Sequence, residues 1–213
     1  RAARVVIDER LARPILIGRP AVIEMRIRKA GLDLQPERDF ELVNPESDPR
    51  YRDIWSEYYR IMARKGVTPT IAQAEIRRNP TLIGAMLLRR GEADALLAGP
   101  SGLYTQQLKP IADVIGLSSN ARLFASLSVL MLPKRTLFIT DPYVNDNPDA
   151  EDVAAMTVLA AAEVRRFGLT PRVALLSHSS FGSTLCASSR KMSRAREILA
   201  ELAPDLEADG EMK

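Results

Sequence analysis

The chain is poor in the residues that most often carry chemistry. It has one cysteine (Cys186) and one histidine (His178) among 213 residues. A single cysteine excludes a disulfide framework and a cysteine-based zinc site, and a single histidine excludes a multi-histidine metal centre. No apolar run approaches the ~20 residues needed to cross a bilayer; Leu127 to Pro133 is among the longest. The opening Arg1–Pro14 stretch is charged throughout and has no apolar core, so it is not a signal peptide. Aromatics make up 5% of the chain, which leaves few rings on which bases could stack. Neither a P-loop nor a Gly-x-Gly-x-x-Gly turn is present, so an NTPase and a Rossmann dinucleotide site are unsupported. Gly-x-Ser-x-Gly is also missing. His178 lies too close in sequence to Ser179 and Ser180 for a hydrolase triad, and reads as a structural histidine. Cys186 has no histidine partner at hand and is expected to be inert.

What is present describes a globular domain. Hydrophobic residues are 46% and charged residues 27% of the chain, with 30 Lys+Arg against 27 Asp+Glu. That composition buries a core and is not that of a disordered chain. The basic residues alternate with acids and form no stripe, so nucleic acid is not an expected partner. A membrane is not expected either, and the expected setting is a reducing, cytoplasmic one. An anionic small molecule needs only two or three placed cations and stays open.

Helix-period and strand-like segments alternate. Strands are expected over Pro14–Gly18, Phe40–Val43, Ala93–Gly99, Ser126–Leu132, Thr136–Thr140 and Arg172–Leu176. Helices are expected over Ala21–Ala30, Arg50–Lys65, Thr68–Arg78, Thr81–Arg90, Leu103–Ile115, Asp149–Phe167 and Arg190–Leu202. This alternation gives an α/β fold with mostly parallel sheets flanked by helices. A small-residue stretch from Gly116 to Asn120 divides the chain into two lobes, 1–118 and 119–213. The chain reads as starting mid-helix and stopping where an α/β domain would continue, and so as incomplete at both ends.

Ligands of parallel α/β sheets sit beyond the carboxyl ends of the strands, at helix N-termini. Three loops occupy such positions. Gly99–Thr105 offers glycines for close approach together with Tyr104. Thr140–Pro148 carries Asp141 and Asn145 at a strand end, suited to a ligand hydroxyl or a cation, or to turn formation and capping. Ser177–Ser183 presents Ser177, Ser179, Ser180 and Ser183, hydroxyls and amides suited to a phosphate or pyrophosphate. From the residues alone this is an anion-binding α/β protein.

Several segments, in this order, resemble the phosphate acetyl/butyryltransferase family. They are Arg64-Lys65-Gly66-Val67-Thr68, Gly91-Glu92-Ala93-Asp94-Ala95, Asp141 with Val144–Pro148 and Ala150-Glu151-Asp152, and Leu175–Ser183. Asn44–Arg52, Gly99–Tyr104 and Phe181 are more similar to the phosphate-acetyltransferase-like C-terminal part of bacterial NADP-dependent malic enzymes. The resemblance implies the isocitrate dehydrogenase-like phosphotransacetylase fold and acyl-CoA or phosphate contacts at Arg64, Lys65, Tyr104, Lys109, Asp141, Asn145, Ser177, Ser179, Ser180 and Ser183. It implies no metal and no cofactor in this part, with NADP and a divalent metal in a malic enzyme half in cis. It further implies homo-oligomers, with acetyl-CoA binding in the cleft between the lobes as an allosteric inhibitor. Three departures argue against turnover. Phe181 stands where acetyltransferases carry Lys or Arg, Lys109 stands where they carry Arg, and Pro100–Thr105 replaces a histidine-bearing loop; the family's catalytic Ser-Arg and Asp would lie beyond Lys213. The alternative is an active phosphate acetyl- or butyryltransferase.

Overall fold

A computed structural model describes residues 1–99, 102–119 and 121–213. Its contacts divide the chain into two compact units, Arg1–Gly116 and Leu117–Lys213.

The first unit is mainly helical. After α1 (Ala2–Asp8), strand β1 (Ile15–Ile17) runs parallel to β2 (Glu41–Val43), with α2 (Pro20–Lys29) between them in sequence. Helix α3 (Tyr51–Met62) buries Ile54, Tyr58 and Met62, a four-residue spacing that lays one apolar stripe against the core. A 3-10 turn, Ala63–Lys65, ends at Gly66 in the left-handed region. Two helices follow almost without a break, α4 (Pro69–Arg78) and α5 (Pro80–Arg89). Thr68 caps the first through a hydrogen bond from the Ile71 amide. Asn79 closes α4 and caps α5, accepting from the Leu82 amide. Proline at the first helical position removes an amide that would have had no partner in either case.

Helix α5 is the centre of this unit. Thr81 to Leu87 are buried without a break, as expected of a helix enclosed on all sides. Ile83, Met86 and Leu87 are at most 2% exposed, each worth about 1.5–3 kcal/mol of apolar transfer. Helix α6 (Tyr104–Val114) packs beside α5, and Trp55 packs half-buried against the same core. The strand expected over Ala93–Gly99 does not form. Among the described residues the only sheet of this unit is the β1–β2 pair, and the segment makes no ladder with it. Leu96 instead fills the space beside Gly84, where an added Cβ would come within 2.5 Å of its Cδ1.

The second unit holds two small sheets. Strands β3 (Leu127–Leu132) and β4 (Arg135–Thr140) form an antiparallel hairpin, an exception to the parallel pairing of the other two sheets. Phe138 of β4 meets Phe167 edge to face at 5.4 Å. Helix α7 (Ala150–Arg166) is capped by Asp149, which accepts from the Asp152 amide. Strand β5 (Arg172–Leu176), helix α8 (Ala187–Leu202) and strand β6 (Glu207–Met212) make a parallel β-α-β unit. Helix α8 starts three residues before the expected Arg190, because Ser189 accepts from the Cys186 amide and donates to Thr184 O, closing the first turn. Strand β6 is not among the expected strands: Glu-Ala-Asp-Gly-Glu-Met alternates acids with small or apolar residues but has no β-branched or aromatic residue, and it is a strand because β5 offers it a ladder. No helix among the described residues is long and apolar enough to cross a membrane.

Gly210 is the tightest point of that ladder. Its φ is +130°, and a Cβ added there would lie 2.6 Å from Leu175 O, against backbone that cannot swing away. Gly91, at φ +70°, has open space around the same position. Gly91→Ala is expected to cost about 1–2 kcal/mol from left-handed backbone alone. Gly210→Ala adds a steric clash to a comparable strain and is expected to be the more destabilising of the two. Urea unfolding of both variants beside the parent chain checks the order.

Candidate functional site

In the first unit two of the three cationic candidates, Lys65 and Lys109, share one carboxylate. Lys65, at the end of the 3-10 turn, lies 3.2 Å from Asp113 Oδ1, and Lys109 on α6 lies 2.5 Å from Asp113 Oδ2. Asp113 is itself largely buried, with 16% of its side chain exposed, whereas Lys109 is 73% exposed. Burial pushes the Asp113 carboxyl up, but the two ammonium groups outweigh that and hold it below its ordinary value. Two cations on one anion leave a net positive charge at the rim of an open cleft of about 510 Å³. Ile71, Leu82 and Pro110 give this cleft apolar walls, and Arg78 and Glu75 add charge of both signs. Tyr58 closes its inner side by donating to Glu75 Oε2 at 2.5 Å. Arg64 is exposed on the same turn as Lys65 and makes no ion pair among the described residues. Tyr104 opens α6; Pro100 and Ser101 of its loop lie outside the described residues.

In the second unit Asp141 and Asn145 are brought together, and both point inward. Asp141 accepts from Ser126 N and Oγ, each at 2.9 Å, from Val144 N at 3.3 Å, and from Asn145 N and Nδ2 at 2.8 and 2.7 Å. Asn145 Nδ2 also donates to Phe124 O at 2.9 Å. The pair ties the strand ends of the hairpin to the loop that leads into α7. Burial pushes the Asp141 carboxyl up, but donation from Ser126 and Asn145 prevails and holds it below the ordinary carboxylate range.

The serine loop between β5 and α8 is likewise bonded within itself. Ser179 N donates to Ser177 Oγ at 2.9 Å, Ser180 N to Ser183 Oγ at 3.0 Å, and Thr184 N to Ser179 Oγ at 3.0 Å. Ser179 is fully buried, and Phe181 is 67% exposed with φ +50°. His178 is exposed. Cys186 is half-buried at the start of α8. Its contact with Ser188 Oγ at 3.2 Å, aided by Ser189, brings the thiol down to about 7. Two acids that the sequence reading passed over organise these sites, Asp113 and Glu211. Asp113 could have been found as the fourth residue after Lys109 on one helix face, but Glu211 carries no comparable pattern. No group of three or more His, Cys, Asp or Glu side chains among the described residues is placed to hold a metal ion.

Strand β4 thus empties into the Asp141 loop and strand β5 into the serine loop. The phosphotransacetylase from Streptococcus pyogenes superposes with a TM-score of 0.86 over 100% of this chain and 64% of its own, at 25% identity. The family model described as phosphate acetyl/butaryl transferase matches residues 1–213, and the chain belongs to that family. Among relatives, the NAD-dependent malic enzyme of Rhizobium meliloti is 50% identical over 100% of this chain and 28% of its own length. The NADP-dependent malic enzyme of Escherichia coli is 52% identical over 95% of this chain and 27% of its own. The phosphate acetyltransferase of Synechocystis is 31% identical over 99% of this chain and 30% of its own. The chain thus spans less than a third of the length of these relatives.

Asp141→Asn is expected to destabilise the second unit by about 2–3 kcal/mol, since an amide NH₂ then faces donors the carboxylate had satisfied. The folded carboxyl titrates below its unfolded value of about 4, so its contribution is present at neutral pH and is lost as pH falls through the lowered folded value. The stability gap between parent and Asn variant therefore narrows in acid, which urea titrations at pH 7 and at about pH 3 would show.

Proposed function

We propose that this chain is a phosphate-acetyltransferase-like regulatory and oligomerising part of a cytoplasmic, NADP-dependent malic enzyme. The parent protein would oxidatively decarboxylate malate to pyruvate, with its NADP and divalent metal held by the other half in cis. This part would bind acetyl-CoA as an allosteric inhibitor without turning it over. The observation that carries the reading is the contrast in identity. Malic enzymes match at 47–52%, whereas phosphate acetyltransferases match at 29–31%.

The site chemistry supports the same reading. Acyl transfer to phosphate needs a fixed positive clamp on the developing charge, and each donor of such a clamp is worth about 3–4 kcal/mol. In the serine loop the exposed crest carries Phe181, and in the first unit the lysines are already shared with Asp113. Lys65 and Lys109 retain enough exposure to turn toward a ligand phosphate, and the apolar cleft wall suits the uncharged part of an acyl-CoA. An inhibitor of this kind acts through its different affinity for two states of the whole protein.

The test is malate-dependent NADP reduction by the full-length protein with acetyl-CoA titrated in, together with an assay for acetyl-CoA formation from acetyl phosphate and CoA. Acetyl-CoA is expected to lower the malate rate with no transferase turnover. Lys109→Ala is expected to raise the inhibitory acetyl-CoA concentration about tenfold, the equivalent of one lost charge-assisted contact. Transferase turnover would make the chain an active acetyltransferase. Indifference of the malate rate to acetyl-CoA would leave it an assembly domain.

A further inference from the structure

Glu211 has an unusual position. It lies on β6 directly beneath the serine loop and is 1% exposed. Three of its oxygens accept hydrogen bonds from that loop. Ser177 Oγ donates to Oε2 at 2.5 Å, Gly182 N to Oε1 at 2.7 Å, and Phe181 N to the Glu211 carbonyl at 2.9 Å. No lysine or arginine forms an ion pair with Glu211 among the described residues, so neutral donors alone compensate its charge. Those donors hold the carboxyl below its ordinary value, the Ser177 hydroxyl contributing most and the Gly182 amide next.

Most of the remaining loop amides are also engaged. The amides of Ser179, Ser180 and Thr184 go to loop hydroxyls, and that of Ser183 goes to Ser180 O. A loop rich in serine and glycine would ordinarily be taken for an anion nest, with amides converging on an incoming phosphate. Here the convergence exists but points inward, onto a carboxylate of the same chain. An approaching anion meets no spare amide among these and a buried negative charge below them.

We propose that the serine loop is an oxyanion cradle already filled by the chain's own Glu211, which positions the loop and excludes a ligand's phosphate from it. What the loop offers outward is then its side chains: the Phe181 and His178 rings and the Ser180 hydroxyl, which accepts from Lys213 N at 3.2 Å. The left-handed backbone at Phe181, φ +50°, is the local cost of this arrangement, and the Phe181 N–H bond to Glu211 O holds it in place. Among the sequence-derived candidates, Ser177, Ser179 and Ser183 become scaffold, and any phosphate of a ligand falls to the lysines of the first unit.

The test reads the loop itself. Inorganic phosphate is titrated into the ¹⁵N-labelled full chain, and the amides of Ser177, Ser179 and Gly182 are followed by NMR. No saturable shift is expected up to about 10 mM, ten times a millimolar Kd; a saturable shift at Gly182 would overturn the proposal without recourse to any variant. In Glu211→Ala the cradle is emptied, and formate, a carboxylate small enough for the vacated space, is expected to raise the Tm and restore the parent Gly182 shift. A folded Glu211→Ala that gains nothing from formate would overturn the proposal. If that variant does not fold, Glu211→Gln replaces it. Its neutral amide is a weaker acceptor, so Gly182 should exchange its amide hydrogen at least tenfold faster than in the parent, and parent-like protection would count against the proposal. None of these readouts involves acetyl-CoA or malate, so the outcome is independent of the regulatory reading above.

Discussion

A carboxylate taken out of water has to be given donors, and this requirement shapes the loops of both units. Asp48, with 7% of its side chain exposed, draws in Arg50, whose guanidinium also reaches Glu41 and Glu92 and so binds strand β2 to the segment after α5. Asp141 gathers Ser126 and Asn145 and fixes the path from the hairpin to α7. Glu211 gathers Ser177, Phe181 and Gly182 and sets the shape of the serine loop. In each case the network reaches from one element to another, through Arg50 to Glu41 and Glu92, through Ser126, and through Ser177, so it serves as a long-range tie as well as a local turn. Among the described residues no buried side-chain nitrogen or oxygen is left without a partner.

This has a bearing on where recognition can occur. Residues at the ends of strands are the usual suppliers of ligand contacts in α/β proteins, yet Asp141, Asn145, Ser177 and Ser179 spend their hydrogen bonds internally. The side chains with reach to spare are those on helices and turns, above all Lys65 and Lys109 beside the apolar cleft of the first unit. The proposed regulatory role draws on those side chains.

The parts of the fold legible in the sequence were those governed by local chemistry. Thr68-Pro69 and Asn79-Pro80 announce helix starts through capping and ring geometry, and both helices begin there. Asp149 with Glu151 and Asp152 marks the start of α7 in the same way. What was not legible depended on partners distant in sequence. Ala93–Gly99 has the composition of a strand but pairs with none among the described residues, while Glu207–Met212 lacks β-branched residues and pairs with β5 all the same. The site divides along the same line. The serines and lysines could be picked out by type, but Glu211 acts on a loop about thirty residues earlier in the chain, and no spacing rule reaches that far.

The position of Trp55 has a practical consequence for anyone studying this chain. It is the only tryptophan, and it packs half-buried against the core of the first unit. Its emission therefore reports on that unit alone, while backbone circular dichroism reports on both. Cooperative unfolding of the whole chain would make the two signals coincide. If they separate, the halves melt as independent bodies, and the intrinsic fluorophore says which one goes first.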